Sequence, residues 1–178
     1  MPNKPSGSKL EWVQSVVERF EGPLVRYAGR IVGDLDRARD VVQDTFMRLC
    51  AEPQNRVEEH LAEWLFTVCR NRAVDVRRKE SRMTPLTTAH LAKFETTEAA
   101  PSADLEHRET VAQILRVLDA IPQNQQEVIR LKFQNGFSYR EISGVTGHSV
   151  GNVGFLIHTG LKAIRQRIRS ESGLAPRA

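Results

Sequence analysis

Apolar side chains recur at helical spacing through the first part of the chain. They cluster in four segments, near residues 10–20, 24–31, 38–49 and 58–82. Gly22-Pro23 separates the first two segments, and Gly33-Asp34 precedes the third. Because a spacing of three and four residues puts apolar side chains on one face of a helix, the pattern predicts four helices. Four helices can close a core of about 80 residues.

This periodicity is lost over residues 83–103, which are rich in Thr, Ala and Pro. Such a composition is typical of a flexible linker. Helical spacing then resumes up to Ile121 and restarts at Pro122, whose missing N–H is harmless in the first turn of a helix. The chain is therefore predicted to be all-α, with a helical domain at 1–82, a linker at 83–103 and a second helical domain at 104–178.

Two helices joined by a tight turn are predicted between Phe137 and about Arg169. Ser138 and Glu141 have the S-x-x-E spacing of a capping box, which starts a helix. Gly147 can end that helix in the left-handed conformation, and Ser149 can cap the next one. The apolar contact between the two helices is expected from Ile142, Val145, Val150, Val153 and Ile157.

The same local pattern fits two structures, a helix-turn-helix and an ordinary helical corner. In a helix-turn-helix the second helix enters the major groove of DNA, and Arg165, Arg167 and Arg169 would then lie near phosphates. Charge favours this interpretation only weakly. The 178-residue chain has a net charge of +4, and residues 111–178 carry nine Lys and Arg against four Asp and Glu.

Composition excludes several classes of protein. The two cysteines, Cys50 and Cys69, form no CxxC pair, and the five histidines are scattered, so no metal and no cofactor are expected. The chain has no glycine-rich phosphate loop and no nucleophile elbow, which disfavours an enzyme. No apolar run approaches the roughly 18 to 20 residues that cross a bilayer, and MPNKPSGSKLEW lacks the apolar core of a secretory signal. We expect a cytoplasmic protein without membrane insertion.

Three stretches of the chain resemble parts of bacterial sigma factors, in the same order. The stretch ARDVVQDTFMRL resembles region 2.2, EWLFTVCRNRAVDVRRK resembles regions 2.3 and 2.4, and AIPQNQQEVIRLKFQNGFSYREISGVTGHSVGNV resembles region 4. No stretch resembles regions 1.1 and 3, and in this respect the chain is similar to the extracytoplasmic-function (ECF) subgroup of the sigma-70 family. The resemblance implies a sigma factor that binds core RNA polymerase and directs it to promoters through the minus-10 and minus-35 elements. It also makes an anti-sigma factor a candidate partner.

A polar stripe runs along the predicted helix from Asp36 to Cys50. Its members recur at i, i+3, i+4 and i+7, and they are Asp40, Gln43, Asp44 and Met47. Such a stripe is commonly just solvated. The resemblance implies instead that it binds core polymerase, at the clamp helices of the largest subunit.

The helix that ends in the arginine-rich segment carries the second candidate site. Asn71, Asp75 and Arg78 share one face, beside Arg72 and Arg77. These residues can simply solubilise a helix end, where cations also complement the helix dipole. The resemblance implies that this helix, with the loop over residues 51–60, captures the non-template strand of the minus-10 element.

The predicted recognition helix departs from the family pattern. The family has a basic or polar triplet where this chain has Gly154, Phe155 and Leu156, and an arginine where it has Thr159. The remaining candidates for minus-35 contacts are Lys132, Ser149, Asn152, His158, Lys162 and Arg165. Either this helix reads DNA through shape and apolar contacts to thymine methyls, or Phe155 and Leu156 bind a protein. A stand-alone helix-turn-helix regulator is the competing function, but it has no need of the acidic stripe.

Overall fold

The computed structural model describes residues 9–83 and 113–171 of the chain. Within these ranges all regular secondary structure is helical, as predicted. The described residues form two compact units, one in each range. Apart from Met83, which ends a helix, the predicted linker at 83–103 lies outside the described residues.

Three long helices build the first unit, with short helical turns between the second and the third. The elements are α1 (Lys9–Val32), α2 (Leu35–Ala51), α3 (Gln54–Val57), a 3₁₀ turn (Glu58–His60) and α4 (Leu61–Met83). Helices α1, α2 and α4 pack against one another. The core between them is closed by fully buried side chains such as Leu24, Leu49 and Leu65, and the rings of Tyr27 and Phe66 lie 5.1 Å apart.

Helix α1 continues through Gly22-Pro23, so the predicted break there is wrong. A proline inside a helix removes one backbone hydrogen bond and costs about 3 kcal/mol. On the same face, Phe20, Leu24 and Ala28 are buried one turn apart, against α2 and α4. Fully burying a large apolar side chain contributes about 1.5–3 kcal/mol, so this continuous face outweighs the cost of Pro23.

The second unit contains α5 (113–119), α6 (Gln123–Phe133), α7 (Tyr139–Thr146) and α8 (Val150–Glu171). Helix α8 packs against both α6 and α7. The contact with α6 is close at Gly160, where an added Cβ atom would lie 2.6 Å from Ile129 Cδ1 and 3.2 Å from Gln125 Cβ. A residue without a side chain therefore lets α8 approach α6 at this point.

The ends of α7 and the start of α8 have the geometry that their residues predict. The Ser138 hydroxyl accepts a hydrogen bond from the Glu141 backbone N–H (3.2 Å), and the Ser138 N–H donates to the Glu141 carboxylate (2.7 Å), so the capping box is confirmed. Gly147 ends α7 at φ 75°, and the Ser149 hydroxyl accepts from the Asn152 N–H (3.2 Å) at the start of α8.

Four of the five predicted apolar contacts between these helices are buried. Only the prediction for Val150 is wrong, because its side chain is 47% exposed. A helical side chain covers the turn that precedes its own residue. Val150 is in the first turn of α8, so no earlier turn of this helix lies beneath its side chain.

Candidate functional site

The polar stripe lies on α2 opposite the buried face of that helix. Asp34 caps the helix by accepting from the Arg37 N–H at 2.9 Å, and the buried face is formed by Ala38, Val41, Val42, Thr45 and Leu49. Asp40 and Gln43 are exposed, and Met47 is 65% exposed. An exposed methionine beside two polar groups is a feature of protein-binding surfaces.

Asp44, the fourth member of the stripe, has a partner within the protein. Its Oδ2 atom lies 2.7 Å from Arg72 Nε on α4, and the two side chains are 41% and 34% exposed. This ion pair joins a candidate polymerase contact to a candidate DNA contact. Sequence reasoning missed it because no local pattern relates residues 28 positions apart.

Helix α4 presents the predicted DNA-binding face to solvent. Asn71, Asp75 and Arg78 are all exposed, and their spacing of four and three residues aligns them along the helix. Arg77 is also exposed, whereas Arg72 stands at the margin of this face, turned toward α2 by its ion pair. The expected loop over residues 51–60 is instead largely helical, since it contains α3 and the 3₁₀ turn.

The exposed face of α8 carries three of the predicted minus-35 contacts. His158, Lys162 and Arg165 recur at i, i+4 and i+7 and are exposed. Asn152 is exposed in the first turn of the helix, where its side chain lies 3.4 Å from His148 Nδ1. Cations and an imidazole along one face of a capped helix can contact phosphates and base edges together.

Two other minus-35 candidates have roles in the fold. The Ser149 hydroxyl caps α8. Lys132 is half-buried, donates to the Phe137 carbonyl at 3.2 Å, and places its ammonium 5.5 Å from the centre of the Tyr139 ring. Lys132 therefore holds the segment that leads into α7.

The atypical triplet of α8 separates into three different environments. Leu156 is only 5% exposed, so the hypothesis that it contacts DNA or a protein is wrong: it belongs to the buried face of α8. Gly154 faces the Tyr139 ring, since an added Cβ atom would lie 3.6 Å from Tyr139 Cε2. Phe155 is 63% exposed and shares a face with His158 and Lys162.

The described ranges show no metal site, and of their two cysteines Cys69 is buried and Cys50 is exposed. No group of three His, Cys, Asp or Glu side chains there is placed to hold an ion. Burial raises the pKa of the Cys69 thiol to about 12, against a smaller opposite effect of its hydrogen bond with Thr45. Of the helices described, none is both long and apolar enough to cross a bilayer.

Comparison with known proteins agrees with this division into two units. Residues 16–83 match the family Sigma-70 region 2, and residues 112–164 match the family Sigma-70, region 4. The ECF RNA polymerase sigma factor EcfG of Rhodopseudomonas palustris is 33% identical over 131 residues, which are 73% of this chain and 70% of that protein. The ECF RNA polymerase sigma factor SigL of Mycobacterium tuberculosis is 29% identical over 160 residues, or 86% of each chain.

A solved structure shares the fold. It is the co-crystal structure of the sigma factor RpoE in complex with the anti-sigma factor NepR from Bartonella quintana, with a TM-score of 0.64 and 22% identity over 88% of this chain and 96% of that one.

Region 2 followed by region 4 defines a protein of the sigma-70 family. Within that family the chain belongs to the ECF RNA polymerase sigma factors. It acts with core RNA polymerase and promoter DNA in promoter-specific transcription initiation.

Proposed function

We propose that the three exposed faces divide the work of promoter recognition among themselves. The stripe on α2 binds core polymerase, the exposed face of α4 binds the minus-10 element, and the exposed face of α8 binds the minus-35 element. The protein acts in the cytoplasm by binding alone and catalyses no reaction. The observation that carries the proposal is that each face is exposed while the opposite face of its helix closes a core.

Residue roles follow from the chemistry of each face. On α2, Asp40 offers a charge to a basic surface, and Met47 offers apolar area. On α4, Arg77 and Arg78 hold phosphates, whereas Asn71 and Asp75 can read the base edges of a single strand. On α8, the described candidates are Asn152, His158, Lys162 and Arg165, with Phe155 beside them.

We also propose an anti-sigma factor as a partner. The Bartonella quintana neighbour was crystallised with such a protein, and the exposed acidic stripe and basic helix offer it two surfaces of opposite charge. Binding of this partner and of core polymerase at the same stripe would be mutually exclusive.

The docking of core polymerase is tested by reversing one charge on the stripe. Asp40→Arg is preferred to Asp44→Arg, because a second arginine beside Arg72 would also disturb the contact between α2 and α4. Converting an attraction into a repulsion costs ~1–3 kcal/mol, so affinity for core should fall by about 5- to 150-fold. Glu21→Arg on the exposed surface of α1 is the matched control. Equal binding by both variants in a pull-down with purified core would remove the stripe from the interface.

The two DNA-binding faces are tested in the holoenzyme. Asn71→Ala and Arg78→Ala should lower transcription from a library of promoter fragments at unchanged core affinity, with Arg19→Ala on α1 as the control. Removing one phosphate or base contact costs about 1–3 kcal/mol. Lys162→Ala should weaken promoter binding and reduce its salt slope by about 0.9. Normal transcription by both α4 variants at limiting sigma factor would show that this face is misassigned.

A further inference from the structure

Ion pairs between described residues connect α2 to α4, and one of them joins two candidate sites. Arg37 contacts Glu80 at 2.5 Å, and Asp44 contacts Arg72 at 2.7 Å. The numbers rise along α2 while they fall along α4, so the two helices run antiparallel. Only the second pair consists of one residue from the polar stripe and one from the arginine-rich helix.

The pair between Asp44 and Arg72 is accessible to competitors. Both side chains are more than a third exposed to solvent, and a pair in that setting contributes little to stability. A guanidinium also binds a phosphate in the same bidentate geometry that it uses for a carboxylate. Exchange of both partners together therefore costs little, because each charge then keeps a partner, whereas release of Arg72 alone leaves Asp44 unpaired.

Asp44 limits what Arg72 can do in the free protein. While the carboxylate accepts from Arg72 Nε, it partly compensates the charge of the guanidinium and draws the side chain toward α2. Asn71, which precedes it, stays exposed on the DNA-binding face. The stripe, in turn, attracts cations, because Asp40 lies one turn before Asp44 on the same helix.

We propose that Asp44 is a positioning residue for Arg72. In the free protein it withholds the guanidinium from DNA. When core polymerase docks on the stripe, a cationic side chain of polymerase becomes the partner of Asp44, and Arg72 is released to a phosphate of the single strand. The inference rests on the proposed function for the location of polymerase on α2 and of DNA on α4.

This exchange couples the affinity for DNA to the affinity for core polymerase, and either affinity can be measured. If core polymerase raises the affinity of the protein for DNA through Arg72, then DNA must raise its affinity for core polymerase by the same factor. Arg72→Gln should abolish this shared factor, whereas a residue that only supports the fold would change stability and leave the factor intact.

The first experiment uses the free full-length chain and a 20-nucleotide oligo(dT) strand. Asp44→Asn keeps the shape of the side chain but releases Arg72, so the salt dependence of binding should become steeper by about 0.7 in the slope of log affinity against log salt. Between 50 and 200 mM salt that difference corresponds to about 2.6-fold in affinity. Glu21→Gln on α1 changes the net charge equally and is the matched control. Adding Arg72→Gln to Asp44→Asn should return the slope to that of the control.

The second experiment compares the free chain with the chain saturated by core polymerase. In the free chain Arg72→Gln should reduce the slope by less than in the complex, since Arg72 is held by Asp44 there. In the complex the same variant should lose about 0.7 from the slope. This comparison does not use Asp44→Asn. It therefore tests whether polymerase releases Arg72 even if thermal denaturation shows that Asp44→Asn is poorly folded.

Two results would overturn the proposal. One is an equal slope for Asp44→Asn and Glu21→Gln, which would mean that Asp44 does not mask Arg72. The other is an equal effect of Arg72→Gln with and without core, which would mean that polymerase does not open the pair. Failure of the docking assignment is recognised separately, by normal core binding of Asp40→Arg.

Discussion

Arg130 is the most unusual charged residue in the second unit, and it allows a quantitative prediction. Its guanidinium side chain is 7% exposed and its Nη2 atom contacts Asp119 Oδ1 at 2.7 Å. The Nε and Nη1 atoms are buried without a hydrogen-bond partner. Burial lowers the pKa of Arg130, and the charge of Asp119 opposes that effect. Because arginine stays charged at neutral pH, one half-exposed carboxylate compensates this buried cation.

The two partners should therefore respond differently to substitution. Asp119→Asn keeps the shape of the acceptor but removes the compensating charge. Two unit charges 4 Å apart interact by about 4 kcal/mol at an effective dielectric constant of 20. Since Asp119 is 51% exposed, we discount this to a loss of about 2 kcal/mol. Arg130→Met removes the buried charge and both unpartnered donors, and should stay within about 1 kcal/mol of the original protein or exceed it.

The two tryptophans make the measurement specific for one unit. Trp12 and Trp64 both lie in the first unit, so fluorescence follows that unit while far-UV circular dichroism follows all helices. For Asp119→Asn the transition seen only by circular dichroism should move down by about 8–16 °C, at roughly 4–8 °C per kcal/mol for a domain of this size. The double variant should melt like Arg130→Met. A lower melting temperature for Arg130→Met than for Asp119→Asn would refute the reasoning, since it would show that Arg130 stabilises the unit by packing.

Further outcomes are expected for the two cysteines, for Leu156 and Phe155, and for Gly147. At pH 8 the exposed Cys50 should react with a thiol reagent and the buried Cys69 only after unfolding. Burial raises the pKa of Cys69 above its ordinary 9.0 to about 12. The stability that the neutral thiol contributes is therefore complete below pH 9 and falls as the pH rises toward 12. At pH 10 the free energy of unfolding should have dropped by about 1.4 kcal/mol more in the original protein than in Cys69→Ala. Leu156→Ala should cost about 2–5 kcal/mol in denaturant titrations. Phe155→Ala should leave stability unchanged and weaken promoter binding by the holoenzyme. This weakening should be smallest where thymines have been replaced by deoxyuridine, which lacks the methyl group that an apolar side chain contacts. Gly147→Ala should cost about 1–2 kcal/mol through its left-handed backbone alone, since nothing lies within 4 Å of an added Cβ atom, and Gly147→Asn should cost less.

Features that depend on neighbours in the chain were determined by the sequence itself. The capping box of Ser138 and Glu141, the left-handed Gly147 and the cap at Ser149 all form within a few residues. The helical periodicity of the two domains and the exposed faces of α2, α4 and α8 belong to the same group. A 3.6-residue repeat sorts apolar from polar side chains before any tertiary contact exists, which is why the order of the candidate sites could be predicted.

Features that depend on distant partners were decided only by the tertiary structure. Helix α1 passes through Pro23 because a continuous buried face compensates for the lost hydrogen bond. The burial of Leu156 and the exposure of Phe155 depend on where α8 meets α6 and α7. The pairing of Asp44 with Arg72 depends on the antiparallel packing of α2 and α4. In each case the deciding free energy comes from packing between elements, and local periodicity carries no information about it.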